Sequence, residues 1–438
     1  MTHRGIPAAI GRSRRWIVAR VAGYNLPERE TLPMARVIKL GINRPATHPL
    51  LPDPEPRAVK YTMISVDDHL MEPPHVFEGR LPKKFEATGP RVEETEEGHQ
   101  VWVFEETPYF QVGFMCVAGR ARKDQRVEPA RFEEMRKGCW DPHARIKDMD
   151  INGVWASLNY PSGVTGFGGT LFSEAKDQEL GLACVRAWND WVYEEWHLAY
   201  PERIIPLGIT LLSDPEKGAA EIRRNAARGF KAVTIPEQPH KQNLPNVFQP
   251  YWEPIVRACA ETGTVLSLHV GSSGFGTFLP GSPMMEVGAS KFGPMAIETC
   301  IEWLWSYWPA KYPDLKIAIA ESGIGWVAML CDRLDNIMSR SGYGSGWPDK
   351  QHSPSDVLRR NFWFCMIDDP STISTLDKIG IDHVVAESDY PHGDGTWPDT
   401  QRVMEKMLSG LPVEWIRKIM HENAAALYRH PLPPNRLP

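Results

Sequence analysis

The sequence predicts an α/β protein, most simply a (β/α)8 TIM barrel, on three observations. Eight short β-rich runs recur between residues 61 and 388, each is apolar almost throughout, and segments of helical periodicity separate them. Apolar runs of that length suit strands covered on both faces, and strand–helix alternation suits a parallel sheet with right-handed crossovers. A doubly wound open sheet is the alternative, since counting strands does not prove closure. No GxGxxG follows the first run, which weakens a dinucleotide-binding version.

In chain order the runs are YTMISV (61–66), WASLNYP (155–161), RIIPLGITL (203–211), FKAVTIP (230–236), TVLSLHV (264–270), LKIAIAE (315–321), FWFCMI (362–367) and HVVAES (383–388). Helices are expected over 174–199, 214–229, 248–263, 293–309, 325–341, 370–380 and 412–428. In DPHARIKDMDINGV, Asp141 reads as an N-cap with Pro142 as the first helical residue, and DPEKGAAEIRRNAARG opens on Asp-Pro and stops on Gly. Residues 77–140 interrupt the first repeat, and TEEGHQVWVFEETPYFQVG predicts a hairpin or small sheet over the barrel mouth.

The remaining boundaries follow from composition. Residues 1–58 are basic and Pro-rich without sustained periodicity and read as a poorly ordered extension; 59–430 form the barrel and 431–438 a tail. An Arg-rich start resembles a transit peptide, but no secretory apolar core is present. Hydrophobic content of 42% with 24% charged residues is that of a soluble globular protein. A net charge of −6 argues against nucleic acid or an anionic membrane as partner. Seven scattered cysteines with no CxxC pair fit a reducing cytoplasm better than a disulfide framework or a structural zinc site. No stretch reaches the ~20 apolar residues of a membrane helix.

In this fold active sites lie at the C-terminal ends of the strands. Collected there are Asp67 and His69 after the first run, His269 after the fifth, Glu321 after the sixth, and Asp389 with His392 after the eighth. All offer nitrogen or oxygen donors suited to zinc, manganese or iron. Asp67 and His69, two apart, share a strand face, with Asp68 turned the other way; Glu387 and Asp389 likewise share one, placing Glu387 a layer deeper. Each has a plainer reading: a strand-end histidine is often a hydrogen-bonded structural group, Glu321 before Ser-Gly could cap the next helix, and His392 could support its loop. Taken jointly, four strand ends of matching chemistry predict a metal site, because so much buried carboxylate is otherwise costly. Trp102, Tyr109, Phe275, Phe278 and Trp397 are candidates for an apolar substrate wall, though aromatics in loops are also ordinary packing residues.

DDHLMEPPHVF, RIKDMDINGV, YWEPIVRACAETGTVLSLHVG, LKIAIAESGIGWV, ESDYPHGDGTWP and IRKIMHENAAALY together resemble the amidohydrolase-related (amidohydrolase 2) metal-dependent enzymes, from about residue 61 to 429. That group includes aminocarboxymuconate-semialdehyde decarboxylase and γ-resorcylate decarboxylase. The resemblance places the family's first-strand ligand pair on Asp67 and His69, its strand-5 metal histidine on His269, and its strand-8 aspartate, which holds metal or handles a proton, on Asp389. His421 and Asn423 fall in the terminal-helix signature, where packing is at least as good an account. It also implies a homodimer. The decarboxylases carry a histidine after the sixth strand, where this chain has Glu321. That exchange removes a proton donor suited to neutral pH and adds a carboxylate able to bridge two ions.

The expected function is therefore a metal-dependent hydrolase or decarboxylase of a small carboxylate or cyclic substrate, using one or two divalent ions, zinc or manganese. Asp389 or Glu321 would move the proton. A nonheme di-iron oxygenase with Glu321 bridging is the second reading, distinguished by two irons per chain and O2 consumption. A catalytically silent binding protein is the third, distinguished by retaining no metal.

Overall fold

Side-chain alternation along the strands divides the interior of this protein into two cores. The computed structural model describes residues 38–39, 48–55, 57–109, 112–113, 115–125, 131–340 and 342–438. Its strands are β1 (Ile64–Leu70), β2 (Arg91–Glu94), β3 (Gln100–Phe104), β4 (Thr107–Tyr109), β5 (Ala156–Pro161) and β6 (Ile204–Ile205). They continue with β7 (Leu207–Gly208), β8 (Ala232–Pro236), β9 (Val265–His269), β10 (Ile317–Ala320), β11 (Phe362–Met366) and β12 (Val384–Ala386). β1, β5 and β6 pair in parallel, and β7 through β12 pair in parallel in chain order.

β6 and β7 are the predicted run 203–211, cut at Pro206, which has no N–H for a ladder. At the other seam, Asp389 N–H donates to Asp67 O at 2.9 Å and His69 N–H to Tyr390 O at 2.7 Å. Those bonds tie the first strand to the segment after the last. The fold class is the (β/α)8 barrel.

Val265, Ala318, Ala320, Tyr160 and Val385 belong to the inner core, closed below by Ala424, Leu427 and Tyr428 of the terminal helix. Leu266, Leu268, Ile317 and Ile319 belong to the outer core beneath the helices. Local capping places the helices. The Asp141 carboxylate accepts from His143 N and Ala144 N at the start of helix Pro142–Asn152, which ends on Gly153 at φ 70°. Asp214 caps Pro215–Arg228 in the same way, with Gly229 at its end.

Within the insertion, β2, β3 and β4 form an antiparallel sheet. Val117 and Ala118 donate to Pro391 O at 3.1 and 3.0 Å, fastening the insertion to the loop after β12. Most of the N-terminal extension lies outside the described residues; within its described part, Leu51 N–H donates to Gly119 O at 2.7 Å and Asp53 pairs with Arg136. All seven cysteines are free and buried. Among the described residues, no helix is long and apolar enough to cross a membrane.

Candidate metal centre

The first strand changes what it shows the barrel axis halfway along. Its pairing with β5 slips between Ser65 and Asp68, a bulge that adds one residue. Ile64 before the slip and Val66 within it join the inner core; Asp67, also within it, and His69 beyond it reach the ligand cluster. Asp68 is held apart, accepting from Ser65 Oγ at 2.9 Å, Ser388 Oγ at 2.6 Å and Tyr390 N at 3.2 Å. It buttresses the seam between the first and last strands.

His269 ends β9 on the inward phase set by Val265 and Ser267. Its Nδ1 lies 2.7 Å from Val270 O. A carbonyl can only accept, so Nδ1 carries the hydrogen and Nε2 is a bare lone pair in the neutral ring. His69 Nδ1 contacts Ser162 Oγ at 2.6 Å, and with that nitrogen protonated its Nε2 is also left for a cation. The two Nε2 atoms stand 3.1 Å apart. Two nitrogens bound at about 2.1 Å to one ion would be separated by about 3.0–3.4 Å. Burial lowers the His269 imidazole to about 3 and that of His392 to about 4, so both are neutral, as ligands must be. His69 is lowered well below its ordinary value, by burial first and then by His392 and His269.

The acids complete the set. Asp67 Oδ1 and Oδ2 lie 3.5 Å from the Nε2 atoms of His69 and His269 respectively. Asp389 Oδ1 lies 3.2 Å from His69 Nε2 and 3.0 Å from His392 Nδ1. Yet no donor among the described residues hydrogen-bonds any carboxylate oxygen of Asp67 or Asp389, all four being buried. Burial raises both carboxyls well above the ordinary range; Glu387 and Glu321 then raise Asp67 further, and Asp394 and Glu321 raise Asp389. No Lys or Arg pairs with them among the described residues. Buried acids without donors or counter-charge, facing bare imidazole nitrogens, fit a divalent cation.

Glu321 stands at the rim, 13% exposed, its Oε2 3.8 Å from His269 Nδ1. Burial, then Asp394 and Glu387, raise its carboxyl well above the ordinary range. Helix Val327–Ser339 begins after Trp326 with no side-chain cap, so capping does not occupy Glu321. Both Glu321 and Asp389 have left-handed backbones, at φ 55° and 53°, a region that side chains seldom adopt. Glu387 lies deeper: fully buried, it accepts Glu321 N–H at 3.2 Å, and burial pushes its carboxyl up to about 8. His392 stacks on His69 with centroids 3.8 Å apart and a 27° tilt.

The aromatic candidates divide. Trp102 is buried in the outer core, edge-on to Phe77, and Trp397 Nε1 donates to Asp148 O beneath the Arg136 guanidinium. Tyr109 ends the insertion's last strand and is half-buried; Phe275 stacks on Phe292, and Lys291 lies over the Phe278 ring. In the terminal helix His421 contacts Thr62 O, and Asn423 donates to Ile381 O and Val384 O, which fastens that helix to the barrel floor.

Three residues near the centre escaped the sequence reading. Phe167 lies against three imidazoles, with centroids 4.7 Å from His69, 4.5 Å from His269 and 5.7 Å from His392. Ser162 orients His69, and Asp394 joins Glu321, Asp389 and His392 in one group of converging donors. The only available signal was position: the YPSGVTGFGG and PHGDGTWP loops each follow a predicted strand.

The family model described as Amidohydrolase matches residues 99–430, and the chain belongs to that family. Among solved structures it is similar to an amidohydrolase from Mycobacterium avium subsp. paratuberculosis K-10, at 24% identity and TM-score 0.65, over 85% of this chain and 100% of that one. It is also similar to 5-carboxyvanillate decarboxylase from Sphingomonas paucimobilis, at 19% identity and TM-score 0.57, over 85% of this chain and 100% of that one. A third is dihydroxybenzoic acid decarboxylase from Polaromonas sp. JS666, solved with manganese and the inhibitor 2-nitroresorcinol, at 17% identity and TM-score 0.57, over 84% and 97% of the two chains. Likeness at these identities speaks for the shared fold.

Proposed function

We propose that this chain is a metal-dependent hydrolase or decarboxylase of a small carboxylate or cyclic organic substrate, with Asp67, His69, His269 and Asp389 holding its catalytic ion. The observation that carries the proposal is the meeting of two neutral imidazole nitrogens with two carboxylates that lack any donor or counter-charge among the described residues. A divalent cation, zinc or manganese, supplies Lewis acidity there, lowering the pKa of water towards ~7 and polarising a substrate oxygen.

The chain's own residues do the rest. Val270 O and Ser162 Oγ fix the two imidazoles, and the Arg145 guanidinium, buried, donates to His69 O and Gly138 O behind them. Phe167 lies across the rings as an apolar cover. Glu321, at the rim beside His269, is the carboxyl placed to take a proton from a reacting atom or return one, with Asp389 as its alternate. Tyr109, Phe275 and Phe278 are the aromatics we assign to the substrate wall. The two similar decarboxylases, one with manganese, make hydroxylated aromatic carboxylic acids and manganese the first substrates and metal to try.

We further propose a cytoplasmic homodimer whose barrel spans 59–430, with 77–140 over its mouth. Buried free cysteines support the compartment, and exposed Ile301 on the Trp-rich helix Phe292–Trp305 supports a subunit contact. A di-iron oxygenase is the second reading, favoured by the oxygen-rich group of Glu321, Asp389, His392 and Asp394. Metal analysis together with turnover of hydroxybenzoates, cyclic amides and cyclic esters tests the first. Activity should vanish on chelation and return with manganese under anaerobic conditions. A wild-type protein that takes up no divalent cation overturns the proposal, and strict dependence on O2 replaces it with the second reading.

A further inference from the structure

We propose that Arg136, an insertion residue held from outside by Asp53, is a positioning residue that acts on Asp389 through Asp148 and Tyr390. Part of the N-terminal extension thereby supports the metal centre. The inference rests on the reading of Asp389 as a metal ligand given above. Neither carboxylate oxygen of Asp389 has a hydrogen-bond partner among the described residues, and its φ is 53°. The direction of that side chain is therefore set by the backbone that carries it. Asp389 N–H donates to Asp67 O at 2.9 Å, and the next residue is Tyr390, 3% exposed.

Tyr390 is held at its far end. Its hydroxyl donates to Asp148 Oδ2, and Asp148 accepts from Arg136 Nη2 at 2.6 Å and Nε at 3.1 Å. A planar guanidinium facing a carboxylate fixes direction as well as distance. The same guanidinium lies 4.6 Å from the centre of the Trp397 ring, whose Nε1 donates to Asp148 O at 3.1 Å. Arg136 and Asp148 thus hold both ends of the stretch 390–397, with His392 between them. A Cβ at Gly138 would lie 2.2 Å from Asp148 Oδ2 and 2.7 Å from the Tyr390 hydroxyl, so the insertion backbone closes tightly on this contact.

Asp53 meets Arg136 from the other side. Arg136 Nη2 also donates to Asp53 Oδ1 at 2.8 Å, and the Asp53 side chain is 66% exposed. Nearby, Leu51 N–H donates to Gly119 O at 2.7 Å, and Arg57 Nη1 donates to Pro398 O at 3.0 Å, next to Trp397. The extension therefore runs from the insertion to the far end of the loop that bears His392. Asp53 and Arg57 both lie outside the stretch 99–430 that the family model matches.

Asp53→Asn, Tyr390→Phe and the double variant test this in the full chain with two readouts. One is hydrogen–deuterium exchange of the amides between 389 and 396 in chelated protein; the other is affinity for Mn2+. Asp53 is exposed and phenylalanine keeps the Tyr390 ring, so neither change threatens the fold. Exchange should quicken in all three variants. Affinity should fall about tenfold in Tyr390→Phe and about two- to fivefold in Asp53→Asn, with the double variant no weaker than Tyr390→Phe. Losses that multiply in the double variant overturn the path through Arg136. Faster exchange with unchanged affinity overturns the positioning role, and unchanged exchange in both single variants overturns the clamp while the metal reading stands. A wild type that binds no Mn2+ overturns the metal reading, and the positioning with it.

Discussion

Two pairs of buried acids stand on the same rim and have opposite surroundings. Glu72, just after β1, and Glu237, just after β8, are fully buried. Glu72 accepts backbone N–H groups from Gly163 at 2.7 Å and Thr165 at 3.2 Å. Glu237 accepts from Gly271 N at 3.0 Å, Ser273 N at 2.7 Å and the Ser272 hydroxyl. Burial raises their carboxyls, and those hydrogen bonds pull them back. A Cβ at Gly163 would lie 2.3 Å from Glu72 Oε2, so the close approach requires glycine. Asp67 and Asp389 have no such donors among the described residues, and the neighbouring carboxyls raise them further. Fixed backbone dipoles settle one pair; the other pair is left for something that arrives from solution.

The largest break in this contrast is His269→Ala. It removes one of the two converging nitrogens and should abolish high-affinity metal uptake, costing activity more than the roughly 10–100-fold typical of an outer partner. Elemental analysis with single-turnover assays checks it, and undiminished metal content would remove His269 from the ligand set. Ser162→Ala comes next. It frees His69 Nδ1 but keeps the ring, so affinity for manganese should fall by about 10–100-fold with the fold unchanged in circular dichroism.

A matched pair sharpens the contrast further. Glu237→Gln sets an amide NH2 against backbone donors and should lower unfolding free energy by ~1–3 kcal/mol, with or without metal. Asp67→Asn should do the reverse in the chelated protein, raising its melting temperature by relieving repulsion, while lowering that of the metal-loaded form. Equal effects of the two substitutions in chelated protein would dissolve the distinction between the pairs.

The smallest effect is acid lability set by histidines away from the mouth. Burial lowers His197, His421 and His430 below 6.5, against the opposing pull of backbone hydrogen bonds. The unfolded chain then binds more protons than the folded one, so this stability is complete above pH 6.5 and is lost as pH falls below it. Urea midpoints of the metal-loaded enzyme at pH 7.5 and 5.5 should differ in that direction.

Much of this was readable in advance. Eight apolar runs lie where strands form, and the ionisable residues at their ends meet at one mouth. Two boundaries slipped for physical reasons. The first run, YTMISV (61–66), stops short of the strand, which pairing with Asn159 and Tyr160 carries to Leu70. The third was read unbroken through Pro206. The bulge in β1 was invisible, since nothing in local sequence tells which of two neighbours lacks an opposite partner. Asp394 was missed because a Gly-Asp-Gly stretch is indistinguishable from an ordinary turn, and Phe167 because loop aromatics carry no periodic mark.

The left-handed backbones of Glu321 and Asp389 carry a consequence for anyone hardening this enzyme against heat. Residues in such conformations cost on the order of 1–3 kcal/mol each. A search for thermostable variants would be drawn to glycine at both positions, and the gain in melting point would come with the loss of the side chains proposed to act at the mouth. Heat tolerance and turnover should therefore trade against each other at these two positions, and robustness is better sought in the barrel floor.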